Sequence, residues 1–171
     1  MSNVHMLKMD EIDRNIIQII QEEPNLTHTQ IAKMVNRSQP TVGMRIKKLE
    51  EAGVLKFQAG INIKSTDLIL ARAEIETSNP ETIENLVKKC PFMLNAFRQS
   101  GTSNISVLIV AFRIQDVDSI VNFHFRNNPD VKKVVVEIFT GVVKDLVLPF
   151  NLNFEDCESF IHDRCCSKLL K

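Results

Sequence analysis

The spacing of apolar residues changes midway along this 171-residue chain, and that change constrains the fold more than any other feature. Up to Leu49, apolar side chains recur every three or four residues, which is typical of amphipathic helices. From Ala71 onward, alternating segments typical of strands are interleaved with further helical stretches. We therefore expect an α+β protein with a helical domain over residues 1–64, a mixed domain over residues 65–150 and a C-terminal helical extension over residues 151–171.

Three short helices are predicted in the first domain. The first covers about residues 10–22. Either Thr27 or Thr29 can cap the second, because a threonine hydroxyl accepts a hydrogen bond from an unpaired N–H of the first turn. Ser38 is the predicted cap of the third helix, and Gly53 ends it. The order indicates a helix-turn-helix.

Two short apolar segments follow the third helix. Residues 54–57 and 61–63 flank Gln58-Ala59-Gly60, which predicts a β-hairpin. Such a hairpin would make the first domain a winged helix-turn-helix.

The third helix has one apolar and one polar side. Val42, Ile46 and Leu49 share the predicted buried stripe, so the polar side is free to enter a DNA major groove. Arg45 is the strongest candidate on that side, because a guanidinium can bind bases or phosphates in two places at once. The full set of candidate DNA-binding residues is Arg37, Ser38, Gln39, Thr41, Arg45, Lys47, Lys48 and Lys56. The alternative is a solvated helix face on which Arg45, Lys47 and Lys48 pair with Glu50 and Glu51.

Net charge alone argues weakly against nucleic-acid binding, because 21 Lys and Arg residues balance 21 Asp and Glu residues. The balance is not local, however. Between Glu23 and Lys64 there are seven basic and three acidic residues, a net charge of +4. A local excess of this kind can act on a polyanion within a Debye length, about 8–10 Å in cell-like salt.

Three sequence runs in the first domain match a known pattern. MDEIDRNII (9–17), QIAK (30–33) and SQPTVGMRIKKLEEAGVL (38–55) resemble the Lrp/AsnC (feast/famine) transcription regulators. The resemblance implies sequence-specific binding to double-stranded DNA through a recognition helix at residues 38–52. Gly43 departs from the pattern: many relatives carry a polar side chain there, and glycine in a helix interior costs roughly 1 kcal/mol relative to alanine.

The second domain is predicted to have the order βαββαβ, a ferredoxin-like pattern. Strands are expected over 65–77, 92–99, 105–112 and 131–143. One helix begins at Asn79-Pro80, and the other begins at Asp116 or Asp118.

The same resemblance implies that the second domain forms dimers and octamers and binds a small-molecule effector. In relatives the effector site lies near a turn reading Gly-x-Tyr/Phe-Asp, whose acid helps to hold an amino group. Here the turn is Gly101, Thr102, Ser103 and Asn104. Asparagine has no charge and would hold an ammonium group less well. This argues against an α-amino acid, and leaves a different ligand, no ligand, or a plain hairpin turn.

Three of the four cysteines lie near the C-terminus, together with a histidine: Cys157, His162, Cys165 and Cys166. Three interpretations are open for this cluster. The residues could pack in a helix, bind Zn²⁺ or Cu⁺, or act as a redox switch. A metal- or redox-responsive sensor is therefore the alternative function, together with an architectural DNA-wrapping protein.

Other classes of function find less support in the sequence. The four histidines are scattered without a nucleophile at a catalytic spacing, so we do not expect an enzyme. No apolar run reaches the roughly 20 residues of a membrane helix. Met1 to Asp10 lacks the apolar core of a signal peptide, so we expect a cytoplasmic protein with no membrane partner.

Overall fold

A computed structural model describes residues 9–149, which divide into two compact units on either side of the junction between Gln58 and Ala59. The division falls six residues before the boundary expected at residue 64. The predicted extension 151–171, with Cys157, His162, Cys165 and Cys166, lies outside the described residues. Within the described part, no helix has the length and apolar character needed to cross a bilayer.

The first unit contains three helices, and a side chain caps each of them. Their bounds are α1 Glu11–Glu22, α2 His28–Met34 and α3 Gln39–Glu51. The caps are Asp10, Thr27 and Ser38, and each accepts a hydrogen bond from the backbone N–H three residues later. Of the two candidate threonines, Thr27 is therefore the cap of α2. These bonds satisfy N–H groups that the helices themselves leave unpaired.

One hydrophobic core joins these helices. Its buried members are Ile16, Ile20, Ile31, Ala32, Val42, Ile46, Leu49 and Leu55. Leu55 lies beyond α3, and its N–H donates to the carbonyl of Leu49. The chain after α3 therefore returns onto the helical core.

The hairpin predicted over 54–63 is wrong. Residues 54–60 form no strand, and β1 (Ile61–Asn62) pairs antiparallel with β6 (Val147–Leu148). The pairing is extended by a bond from the N–H of Ile63 to the carbonyl of Leu146, at 2.8 Å. Residues after Gln58 therefore belong structurally to the second unit.

Gly60 has a different role from the hairpin turn that the sequence suggested. A Cβ at this position would lie 2.6 Å from the carbonyl oxygen of Leu148 and 2.9 Å from Val147 Cγ1. Real Cβ atoms do not approach a backbone so closely. Glycine is required here because the chain passes against the backbone of β6.

A four-stranded antiparallel sheet and two main helices form the second unit. The strands are β2 Ile69–Thr77, β3 Met93–Arg98, β4 Ile105–Ala111 and β5 Val131–Ile138, in the spatial order β3-β4-β2-β5. The helices are α4 Pro80–Val87 and α5 Ile114–Val121, and a π-helical turn, Asn122–Arg126, continues α5. The predicted ferredoxin-like βαββαβ order is confirmed.

Both faces of the sheet contribute buried apolar side chains. One face packs with α4 and α5 in a core that includes Ile75, Phe92, Ile109 and Phe125. The other face contributes Leu70 and Val110 to a smaller cluster with residues near β1 and β6. Alternation along β2 explains the division, because successive side chains of a strand point to opposite faces.

Two predicted boundaries in this unit are corrected. β5 ends at Ile138 rather than at Val143, after which the N–H of Phe139 donates to Leu70. The helix α5 begins at Ile114, earlier than either predicted aspartate. Asp116 is instead buried in the first turn, where its carboxylate accepts bonds from the backbone and guanidinium of Arg113.

Candidate nucleic-acid interface

The orientation of α3 follows from its buried stripe. Val42, Ile46 and Leu49 are almost completely buried in the helical core. Since these positions lie one turn apart, the residues between them are directed towards solvent. The N-terminal half of α3 therefore presents Gln39, Pro40 and Met44 on the exposed side.

The turn between α2 and α3 contains no glycine. Asn36 takes the left-handed conformation, with φ of 51°. Asparagine adopts this conformation more readily than most residues. The N–H of Arg37 then donates to the carbonyl of Ala32 at 2.9 Å, which closes the end of α2. The side chain of Arg37 is exposed and its Nη1 bonds the carbonyl of Asn36.

Ser38 and Thr41, both predicted to contact DNA, bond to each other. Their hydroxyl oxygens are 2.7 Å apart, and the N–H of Thr41 donates to Ser38 Oγ. Ser38 is exposed and Thr41 is half-buried. Both side chains therefore take part in the cap that fixes the start of α3.

The position of Arg45 on the polar side of α3 predicts a free side chain, but its guanidinium is engaged by two carboxylates of the α1 N-terminus. Its Nη1 donates to both carboxylate oxygens of Asp10, at 2.9 and 2.8 Å, and to Asp13 Oδ1 at 2.7 Å. The Arg45 side chain is 28% exposed and the Asp13 side chain only 13%. The guanidinium therefore ties α3 to the N-terminal turn of α1.

The electrostatics agree with this geometry. The N–H of Asp13, followed by the Arg45 guanidinium, holds the pKa of Asp10 below its ordinary value. Hydrogen bonds to Asp13 and then to Asp10 raise the pKa of Arg45. Asp10 and Arg45 thus each stabilise the charged form of the other.

The other predicted cations on and after α3 are lysines. Lys47, Lys48 and Lys56 are all exposed. Lys47 lies 3.8 Å from Glu51, a loose contact between two exposed side chains that contributes little stability. Among the ion pairs of residues 9–149, none involves Lys48, Lys56 or Arg37. Among the predicted DNA-binding residues, these three cations can therefore bind a polyanion without first breaking an ion pair.

Two features of this surface were missed by sequence reasoning. Met44 is 68% exposed and precedes Lys48 by one turn of α3. The imidazole of His28, at the start of α2, lies against Gly43 of α3. The unusual glycine inside a predicted helix was the available signal for this second contact.

The predicted effector turn joins β3 and β4, and its Asn104 side chain bonds the backbone of Thr77 at the end of β2. Asn104 Oδ1 accepts from the N–H of Thr77 at 3.0 Å, and its Nδ2 donates to the carbonyl of Thr77 at 2.7 Å. Its backbone N–H donates to Ile75, and its carbonyl accepts from Gln99. Gly101 has a φ of 141°. Thr102 is exposed and Ser103 half-buried.

No group of three potential ligands that could hold a metal ion is present among the residues described. The proposed metal residues lie outside that part of the chain.

Comparison with known proteins places the helical unit in a broad class. A family model described as "Winged helix-turn-helix DNA-binding" matches residues 9–56. The "HTH-type transcriptional regulator LrpC" of Bacillus subtilis is 22% identical over 140 residues, which cover 80% of this chain and 95% of that protein.

Solved structures are similar to most of this chain. The transcriptional regulator NMB0573 of Neisseria meningitidis, solved as a complex with L-Met, superposes with a TM-score of 0.72 at 21% identity, covering 85% of this chain and 97% of that one. AsnC of E. coli gives a TM-score of 0.65 at 15% identity, covering 81% and 97%. These likenesses extend over both units.

The fold and the exposed α3 surface define a DNA-binding transcriptional regulator with a helix-turn-helix unit. Over most of its length the chain is similar to regulators of the Lrp/AsnC type, such as LrpC.

The tie between α1 and α3 leads to a stability prediction. Arg45→Ala removes the charge-assisted bonds to both aspartates, and Asp13→Ala removes the bond to Asp13 alone, so each variant should lower the free energy of unfolding by about 1 kcal/mol. Operator affinity should fall as well, because α3 loses its fixed position. The dependence of affinity on salt should stay as in the wild type. Chemical denaturation and DNA titrations over a salt series measure both quantities. Unchanged stability together with a shallower salt dependence for Arg45→Ala alone would instead indicate a direct phosphate contact.

Proposed function

We propose that this chain regulates transcription as a two-fold dimer whose α3 helices read two half-sites in successive major grooves. The observation that carries this proposal is the exposed N-terminal half of α3, opposite its buried stripe of Val42, Ile46 and Leu49. Side chains at the start of a recognition helix reach base edges in helix-turn-helix proteins. The chain acts, in this proposal, by binding rather than by catalysis.

Base contacts are assigned to the exposed start of α3, and phosphate contacts to the cations around it. Gln39 and Met44 face the groove, where glutamine can pair with adenine and a methionine can contact a thymine methyl group. Arg37, Lys48 and Lys56 contact phosphates, and Ser38 and Thr41 hold the helix start in place. Lys47 adds a further charge beside Glu51. Arg45 is assigned to positioning because two carboxylates already engage it.

The dimer is proposed to form through the sheet face that α4 and α5 leave uncovered. Phe97, Val135 and Phe139 lie on this face and are 50%, 41% and 43% exposed. Beside them, Arg72 bonds Glu137 across neighbouring strands. An apolar patch with charged neighbours on an antiparallel sheet supports pairing with a second copy. Higher assembly to octamers is the further expectation.

A small-molecule effector is the remaining part of the proposal. The structurally similar regulator NMB0573 was solved with L-Met, which supports a ligand site in proteins of this fold. Here the Asn104 side chain already uses its carbonyl and amino groups on the backbone of Thr77. We therefore propose that an effector at the turn Gly101–Ser103 is not selected through an ammonium–carboxylate contact.

The DNA contacts are tested by selecting an operator from random duplexes and measuring affinity at several salt concentrations. Each neutralised phosphate contributes about 0.9 to the slope of log affinity against log salt. Lys48→Ala, present twice in a dimer, should therefore flatten the slope by about 2. Lys132→Ala, on β5 of the second unit, is the matched control and should leave the slope unchanged. Equal slopes for all three proteins would contradict the assignment of Lys48.

The proposed dimer face is tested by Val135→Glu. A carboxylate on the apolar patch must be desolvated when two sheets pair, so this variant should sediment as a monomer at concentrations where the wild type is a dimer. Its operator affinity should drop, because a monomer engages only one half-site. Lys132→Ala again serves as the control. A Val135→Glu protein that remains fully dimeric would place the interface elsewhere.

The effector proposal is tested with L-methionine and its analogue lacking the amino group. If no ammonium contact is made, the thermal stabilisation of the wild type by the two compounds should be equal. Asn104→Asp should lower the melting temperature, because a carboxylate cannot donate to the carbonyl of Thr77. A clear preference for L-methionine that disappears in Asn104→Ala would contradict the proposal.

A further inference from the structure

His28 of α2 packs against Gly43, the fifth residue of α3. A Cβ built on Gly43 would lie 3.3 Å from His28 Nδ1 and 3.8 Å from His28 Cε1. Few real Cβ contacts are as short as the first of these distances. The imidazole therefore occupies the space that a side chain at position 43 would need.

This contact explains why a glycine lies inside α3. Glycine is disfavoured in a helix interior because it gives up more backbone entropy than other residues on folding. Gly43 is not one of the glycines with positive φ, so its backbone conformation does not demand glycine. The close approach of His28 is the feature that favours it.

The position of the pair is on the surface assigned to DNA. Gly43 follows Gln39 by one helical turn and precedes Lys47 by another, and both of these neighbours are exposed. His28 is itself exposed, on the first turn of α2. The His28 imidazole thus occupies the position between Gln39 and Lys47 where Gly43 has no side chain.

We propose that His28 is a DNA-contacting residue whose imidazole hydrogen-bonds a backbone phosphate, with Gly43 as the site that seats it. In helix-turn-helix proteins the first helix crosses the sugar-phosphate backbone while the second enters the groove. His28 belongs to that first helix. Its Nε2 lies more than 4 Å from the would-be Cβ of Gly43, away from the closest contact with α3. Phosphate contacts of this kind fix the register of a protein on the duplex.

The experiment compares dissociation constants of the full chain for the selected operator and for a scrambled duplex of equal length, at one salt concentration. His28→Ala should weaken both by roughly 25-fold, because each hydrogen bond contributes about fivefold and a dimer carries two of them. Gly43→Ala should weaken binding by a similar factor, because its methyl group displaces the imidazole. In the His28→Ala background, Gly43→Ala should have no further effect. Met34→Ala, at the other end of α2, is the control and should match the wild type.

Thermal melting of each variant separates binding from folding. If His28→Ala fails to fold, His28→Gln retains a hydrogen-bonding side chain and should keep most of the affinity. The inference is overturned if His28→Ala binds like the wild type, or if only operator binding weakens, which would indicate a base contact. It is also overturned if Gly43→Ala acts equally in both backgrounds. The proposal rests on DNA binding itself: a wild type that binds no duplex contradicts that function, whereas unaffected variants of a binding wild type contradict only the role of His28.

Discussion

Burial of three side chains on α3 determines most of what this protein presents to DNA. A helix has a fixed period, so once Val42, Ile46 and Leu49 are placed in the core, every other position on α3 has a set direction. Burial of this stripe restricts rotation of α3 about its own axis. It does not by itself fix the start of the helix or its tilt against α1. The Ser38 cap supplies the first constraint and the Arg45 ion pairs supply the second.

The parts of the fold that local patterns specify could be predicted from the sequence. Helical spacing and capping residues located α1, α2 and α3, and alternation with Asn79-Pro80 located β2 and α4. Both depend on residues only a few positions apart. The predicted strand over 131–143 was too long because apolar composition continues past Ile138, while the ladder with β2 does not.

Contacts between distant residues could not be predicted in the same way. Asp13 and Arg45 are 32 positions apart, and the Asn62 side chain accepts from Leu146, 84 positions away. No periodicity connects such residues. The sequence pattern around an arginine on a polar helix face is the same whether the arginine contacts DNA or a carboxylate of a neighbouring helix. The hairpin prediction was wrong for this reason: the segment after Gly60 finds its partner at β6, near the far end of the described chain.

The turn of the helix-turn-helix reaches its left-handed conformation with Asn36 rather than with glycine, at a φ of 51°. Asparagine tolerates this conformation with little strain. A glycine would give the unfolded chain many more backbone conformations, all of which would be lost on folding. The connection between α2 and α3 therefore gives up fewer unfolded conformations on folding than a glycine turn would, an effect that no contact in the folded structure reveals.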